Sequence, residues 1–311
     1  MAFDGECITE LFYLIADDPT PATSTLPIPN PRTKDCCDDF LLKVFGDIND
    51  ADSFKNDVSG FLYVFKDVIT TATLKLQKKT SCDYTDVVTL TNNDYGINYA
   101  LGFYVNDNNE NYRGYQLYWR NVLIFHGPGE YRILVEYTSS VGGSATIASA
   151  NYKLMPFSAN RVNQTVKIEY WRNGQMGLSD NDKRTIDYAT LNWYNSIRIP
   201  GFFGDIKSDY TDEKVIYENG QRLWVKDEQE PELTLSTKAL PGFVHEFIRT
   251  DVLQADEIAI TDYNSNNPNT YIQKLVHRSS SYAPDWHRGT RLASVKVNFK
   301  QAYNNLKKRR C

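Results

Sequence analysis

Two segments decide how this chain is read: VKIEYWRNGQ at residues 166–175 and EKVIYENGQRLWV at residues 213–225. Each carries Asn-Gly followed by Gln, at Asn173-Gly174 and at Asn219-Gly220. A type I′ turn needs positive φ at both central residues, and Asn followed by Gly meets that need with least strain. The flanks alternate with period two. Val166, Ile168 and Tyr170 interleave with Lys167, Glu169 and Trp171. Val215 and Tyr217 interleave with Lys214 and Ile216, and Leu223 and Val225 follow the second turn. Both segments are expected to be β-hairpins with two-residue loops.

The same texture extends outward. Phe61–Val68 is a continuous apolar run suited to a buried strand. Thr71–Gln77 places Ala72, Leu74 and Leu76 on one face and Thr71, Thr73, Lys75 and Gln77 on the other. Tyr131, Ile133, Val135 and Tyr137 alternate with Glu130, Arg132 and Glu136, and Val295, Val297 and Phe299 form a last strand. Tyr115–Trp119 and Val122–Phe125 read as two further strands. The run Asn106–Asn111 reads as a solvated loop tip, because it lacks the Gly and terminal Glu of a calcium loop. One helix is expected from Pro241 to Leu253, where Phe243, Phe247 and Ile248 share a helical face. Strands every eight to fifteen residues with polar turns predict a mainly β protein of two sandwich- or barrel-like modules. One or two short helices are expected in its C-terminal half.

The 311 residues suffice for two domains. Residues 1–39 read as an extended arm, with five prolines between Asp18 and Lys34 and an apolar start around Leu11, Phe12 and Leu14. Residues 40–178 read as a first β domain and 179–311 as a second with a basic tail. The junction is placed in the polar, unpatterned stretch from Gly174 to Arg184. Aromatics make up 13% of the chain, which suits pleated surfaces and interfaces. A net charge of −5 gives no general case for nucleic-acid binding. No apolar run of about 18 residues marks a membrane span, and the N-terminus lacks a secretory pattern. A cytoplasmic origin is therefore expected. Five cysteines without a CxxC pair are read as free thiols, not as a metal site.

No motif names a reaction. His126, His245, His277 and His287 show no zinc-ligand spacing. No nucleophile elbow or phosphate loop is present. Carboxylates are plentiful, but a glycosidase needs two of them across one cleft, which spacing does not reveal. Trp171, Trp193, Trp224 and Trp286 could stack on sugars or equally fill cores. Lys307, Lys308, Arg309 and Arg310 offer a salt-sensitive phosphate contact without specificity.

The chain resembles bacteriophage virion proteins of the neck and tail, in particular ring-forming tail proteins of crAss-like podoviruses. The residues carrying the resemblance are the arm Pro19–Pro31, the Tyr/Asn-rich strands Tyr95–Tyr115, the segment from Tyr194 to Gly204, and the strand Arg291–Tyr303 with its basic tail. The resemblance implies β-sandwich modules, arms that clasp neighbours, and no catalytic site or cofactor. It implies closed rings, twelvefold around a neck or sixfold around a tail, that bind other virion proteins first and DNA only by bulk charge. Closed rings need head-to-tail surfaces, for which Leu11, Phe12, Leu14, Trp193, Phe202 and Phe203 are the candidates. The expectation is a non-enzymatic ring component of the virion, assembled in the host cytoplasm and not on a membrane. The alternative is a carbohydrate- or receptor-binding β module at a tail tip, resting on Trp193 and Trp286.

Overall fold

Strands dominate, as the alternation predicts. The computed structural model describes residues 11–13, 41–51, 55–65, 69–90, 100–107, 110–139, 143–149, 151–173, 175–177, 185–187, 193–203, 207–266, 270–287, 292–302 and 305–308. A first sheet runs in the order β1 (Leu11–Tyr13), β3 (Val58–Phe65), β7 (Glu110–Tyr118), β6 (Ala100–Asp107). A second runs β2 (Leu42–Gly46), β10 (Tyr152–Pro156), β8 (Gly129–Ser139), β4 (Ile69–Thr80), β5 (Asp83–Leu90), with β9 (Gly143–Ala148) also on β8. The inward set of β4 matches expectation, since Leu74 and Leu76 are fully buried beside Ile133 and Val135 of β8.

The third sheet closes on itself. Its order is β14 (Trp193–Phe203), β11 (Thr165–Arg172), β18 (Glu257–Asp262), β19 (Gln273–Arg278), β22 (Lys296–Gln301), β16 (Arg222–Thr237), each antiparallel to the next. β14 then pairs with β16 through Gly201–Thr237, Phe202–Ser236 and Phe203–Leu235, which completes a barrel. Val166, Ile168, Tyr170, Ile260, Val297 and Phe299 are among its core residues. Residues 222–231 of β16 run past the barrel and pair with β15 (Lys207–Ile216) on one side. On the other side, residues 226–229 take β23 (Asn305–Lys308). Two small sheets complete the set: β12 (Gln175–Gly177) with β13 (Thr185–Asp187), and β17 (Leu240–Pro241), β21 (Leu292–Ser294), β20 (Asp285–Trp286).

Several expectations change. Val122–Phe125 is not a strand but part of helix α1 (Trp119–His126). Trp119, Val122 and Leu123 are buried at helical spacing, a pattern that a four-residue apolar run does not distinguish from a strand. A four-residue helix α2 (Ala159–Val162) precedes β11. The helix expected at 241–253 is present as α3 (Gly242–Phe247), and widens into a π-helical turn at Ile248–Val252. Asn173 does not head a two-residue hairpin: β11 pairs with β14 and β18, and β12 with β13. The polar stretch after it is thus an excursion between two neighbouring barrel strands. The strands before Thr165 belong to the first two sheets, and those from Thr165 onward to the barrel sheet and the two small ones.

The second Asn-Gly does cap a hairpin, with a different turn. The Gly220 N–H donates to Tyr217 O at 2.8 Å, and the Tyr217 N–H to Gln221 O at 2.9 Å. Gly220 alone has positive φ, at 81°, and Asn219 Oδ1 instead accepts from the Gln221 N–H at 3.0 Å. This is a three-residue loop with a glycine bulge, the next commonest hairpin connection. Cys82, at the exposed β4–β5 turn, is disulfide-bonded to a partner outside the described residues, which corrects the free-thiol reading there.

Gly60 of β3 lies against Trp193. A Cβ there would sit 2.6 Å from the indole Cζ2. At Gly220 a Cβ would meet nothing within 4 Å. Gly60→Ala is therefore expected to cost about 1–3 kcal/mol by overpacking, and Gly220→Ala about 1 kcal/mol from its backbone angle alone. Urea midpoints of the two variants check the ranking. A neutral Gly60→Ala would mean that Trp193 is not seated on β3.

Candidate assembly surface

The polar face of β11 is not solvated. Lys167 and Glu169 are 0% and 1% exposed. Across the strand pair, Lys167 faces Arg198 and Glu169 faces Ser196. What covers this face is the stretch joining β2 to β3. Asp57 takes Arg198 bidentately, Nε on Oδ2 at 3.0 Å and an Nη on Oδ1 at 2.8 Å. Its Oδ2 also accepts the Phe45 N–H at 2.8 Å. Lys167 Nζ donates to Asn56 O at 2.9 Å and pairs with Glu169 Oε1 at 2.9 Å. Glu169 further accepts from the Tyr194 hydroxyl and Gln273 Nε2, both at 2.6 Å.

Two cations thus meet two carboxylates away from water. The Arg198 guanidinium lies 4.2 Å from the Tyr263 ring centre and 5.1 Å from that of Phe45. Burial works to lower its pKa, but Asp57 and Tyr263 together outweigh burial and the net shift is upward. Neutral bonds extend the seam. Ser196 Oγ accepts the Val58 N–H at 2.9 Å and donates to Val58 O at 2.7 Å. Asn195 Oδ1 accepts the Gly60 N–H at 3.0 Å. Each of these donors meets an acceptor, which is the condition for burying polar groups at all. Buried and hydrogen-bonded in this way, the cluster is a weld between sheets.

Other titratable groups are also engaged. Asp251, in the π-helical turn, sits 3.5 Å from Arg172 and accepts from the Thr250 hydroxyl at 3.0 Å. Burial raises its carboxyl from an ordinary 3.8 to about 6, with Arg172 pulling the other way. His245 Nε2 lies 2.9 Å from Ala293 O, so that nitrogen carries the proton, and Nδ1 accepts from the Tyr282 hydroxyl at 2.7 Å. Burial lowers the pKa of this imidazole, keeping it neutral. Among the described residues no group of three His, Cys, Asp or Glu side chains could hold a metal ion. Among the same residues, no helix is long and apolar enough to cross a membrane.

The hairpin of β15 and β16 contrasts with this closed interior. Its tip, residues 216–221, is exposed throughout. Ile216 and Tyr217 there are 65% and 48% exposed. β15 pairs with β16 alone among the described strands. Its outer edge therefore carries a row of backbone donors and acceptors that no described strand takes.

The expected site residues scatter. Leu11 and Phe12 lie in β1, parallel to Leu62 and Tyr63 of the chain's own β3, and Leu14 lies outside the described residues. Trp193 is fully buried, so the interface and sugar-stacking roles expected of it do not hold. It opens β14 opposite Arg172 and fills the space that Gly60 leaves. Phe202 is 49% exposed on the barrel wall, whereas Phe203 turns inward, edge-on to Phe299 at 6.4 Å. Lys307 and Lys308 belong to β23, in register with Asp227 and Lys226 of β16. The basic tail thus starts on an acid-rich strand; Arg309 and Arg310 lie outside the described residues. Sequence reasoning found the hairpin, but not its extension past the barrel or its open edge.

No protein-family model matches this chain, and no curated protein matches it.

Removing one member of a buried ion pair strands the other. Asp57→Ala is expected to cost about 3–5 kcal/mol, and the double variant with Arg198→Met to recover most of it. A double-mutant cycle in urea measures both. Asp251 supplies a pH signature. Its folded pKa lies above the unfolded value, so the folded state binds the proton more tightly, and stability falls as pH rises from about 4 to about 6. Asp251→Asn should remove that component. The difference between wild type and variant at pH 4, 5, 6 and 7 isolates it.

Proposed function

We propose that this chain is a non-enzymatic assembly subunit that joins its neighbours through the β15–β16 hairpin. In line with the resemblance of its sequence, the assembly is a ring in the neck or tail of a phage particle, around the DNA channel. The observation that carries this reading is the hairpin. It runs past a closed barrel, ends in two exposed apolar side chains, and leaves the β15 edge open. Closed barrels have no edges of their own, so an edge presented on an extension is a surface for strand addition by another chain. The buried seam behind it supports the same reading, because a subunit that passes load to neighbours needs a unit that moves as one piece.

A second reading rests on Trp286. It is 54% exposed and meets His245 edge-on at 6.1 Å, so part of the indole is available to stack on a sugar. This is the carbohydrate-binding alternative, now without Trp193.

Solution mass and negative-stain images test the first reading. The wild type is expected to form closed rings. The variant Ile216→Lys with Tyr217→Ser should stay monomeric, with an unchanged far-ultraviolet spectrum. Rings that persist in the variant would overturn the hairpin's role. A monomeric wild type whose glycan binding is lost on Trp286→Ala would favour the second reading.

A further inference from the structure

A groove of about 520 Å³ opens where the β4–β5 turn, the α1–β8 turn and β10 meet. Lys79, Ser81, Pro128, Glu130 and Lys153 are among its lining residues. Its charge is unbalanced. Lys153 stands in register with Glu130 of β8 on one side and with Lys43 of β2 on the other. Directly opposed residues on neighbouring strands project from the same face. Lys43 and Lys153 are both exposed. Glu130 is the one carboxylate among the lining residues, and Lys79 Nζ already holds it at 2.9 Å. Lys79 and Lys153 therefore line the groove with one engaged carboxylate, and Lys43 extends the row on β2.

Like charges directly opposite on paired strands destabilise a sheet. Elsewhere on this sheet the problem is solved internally. Lys75 of β4 is flanked by Asp86 at 3.0 Å and Glu136 at 2.8 Å. Between Lys43 and Lys153 the strands place no acid. An anion from outside would supply what the strands do not, and the adjoining groove has room for one within the usual range of ligand sites.

We propose that this groove binds a phosphate oxyanion, held by Lys153 with Lys43 beside it on the neighbouring strand and the Ser81 hydroxyl at the rim. Ammonium groups are point charges and do not impose the two-pronged geometry of a guanidinium. The site therefore selects for charge density and not for one molecule. Two sources share that chemistry: a free oligophosphate, and the backbone phosphates of a polynucleotide. The inference is independent of the hairpin.

The test is titration calorimetry on the full chain, with tripolyphosphate in one arm and a twelve-base-pair DNA duplex in the other. Chloride controls are matched in ionic strength. Lys153→Gln and Lys43→Gln are each expected to weaken binding about tenfold, the loss of one charge-assisted contact. Lys296→Gln, an exposed lysine on β22, should bind as wild type does. Binding of tripolyphosphate alone with this pattern assigns the site to free phosphates, and binding of the duplex with this pattern assigns it to a polynucleotide. No heat beyond the chloride control in either arm overturns the proposal. So does an equal loss in Lys153→Gln and Lys296→Gln, which would mean bulk charge only.

Discussion

A guanidinium sealed against a carboxylate governs this fold. Arg198 and Asp57 are 141 positions apart in the chain, and neither has access to water. Stranding either charge in an apolar interior is far more costly than stranding a methyl group. The barrel and the N-terminal sheets are thereby coupled, and the bonds of Lys167, Ser196 and Asn195 extend the join. Asp57 also fixes its own surroundings: its backbone exchanges bonds with Phe45 and Trp119, while its carboxylate reaches Phe45 and Arg198. β2, the start of α1 and the barrel strand β14 all converge on that one residue. Replacing such a pair by apolar groups is often neutral for stability, whereas removing one partner alone is costly.

Much of the strand pattern was legible because period two is a local signal. Leu74 and Leu76, and Tyr131, Ile133 and Val135, are buried as their spacing requires. The helix after Pro241 was legible for the same reason. What was not legible depended on distant residues. Lys167 and Glu169 would face solvent if Asn56 and Asp57 did not arrive from the stretch before β3 with matching groups. Trp193 read as a contact surface because nothing nearby in sequence reveals that Gly60 makes room for it. The Asn219-Gly220 turn was placed correctly, but its loop type depends on how the strands twist into it. Of the candidate interface, Phe202 is exposed, Trp193 and Phe203 turn inward, and Leu11 and Phe12 lie in β1 beside β3.

The molecule separates its charges by task. Balanced pairs are buried where sheets meet. On the outer face of the second sheet, Lys75, Gln77, Asp86 and Arg132 form a partly solvated chain of bonds, with Arg132 also 4.1 Å from the Tyr84 ring centre. Exposed pairs of this kind contribute little to stability, and they keep that face soluble. The Lys43–Lys153 row departs from the pattern, as does the open edge of β15. Both departures lie at surfaces, where an unmet requirement can be met by another molecule.

β16 belongs to two structures at once. Its last residues close the barrel against β14 over three paired positions, and its first residues form one side of the projecting hairpin. At 16 residues it spans about 50 Å. Tension applied at the tip would run down both arms of the hairpin, and along β16 it passes straight into the barrel. There the hydrogen bonds to β14 and β22 lie across the strand direction, so they would be loaded together in shear and not opened one after another. The strand is in mechanical terms a tie rod, anchored at its far end in the barrel wall.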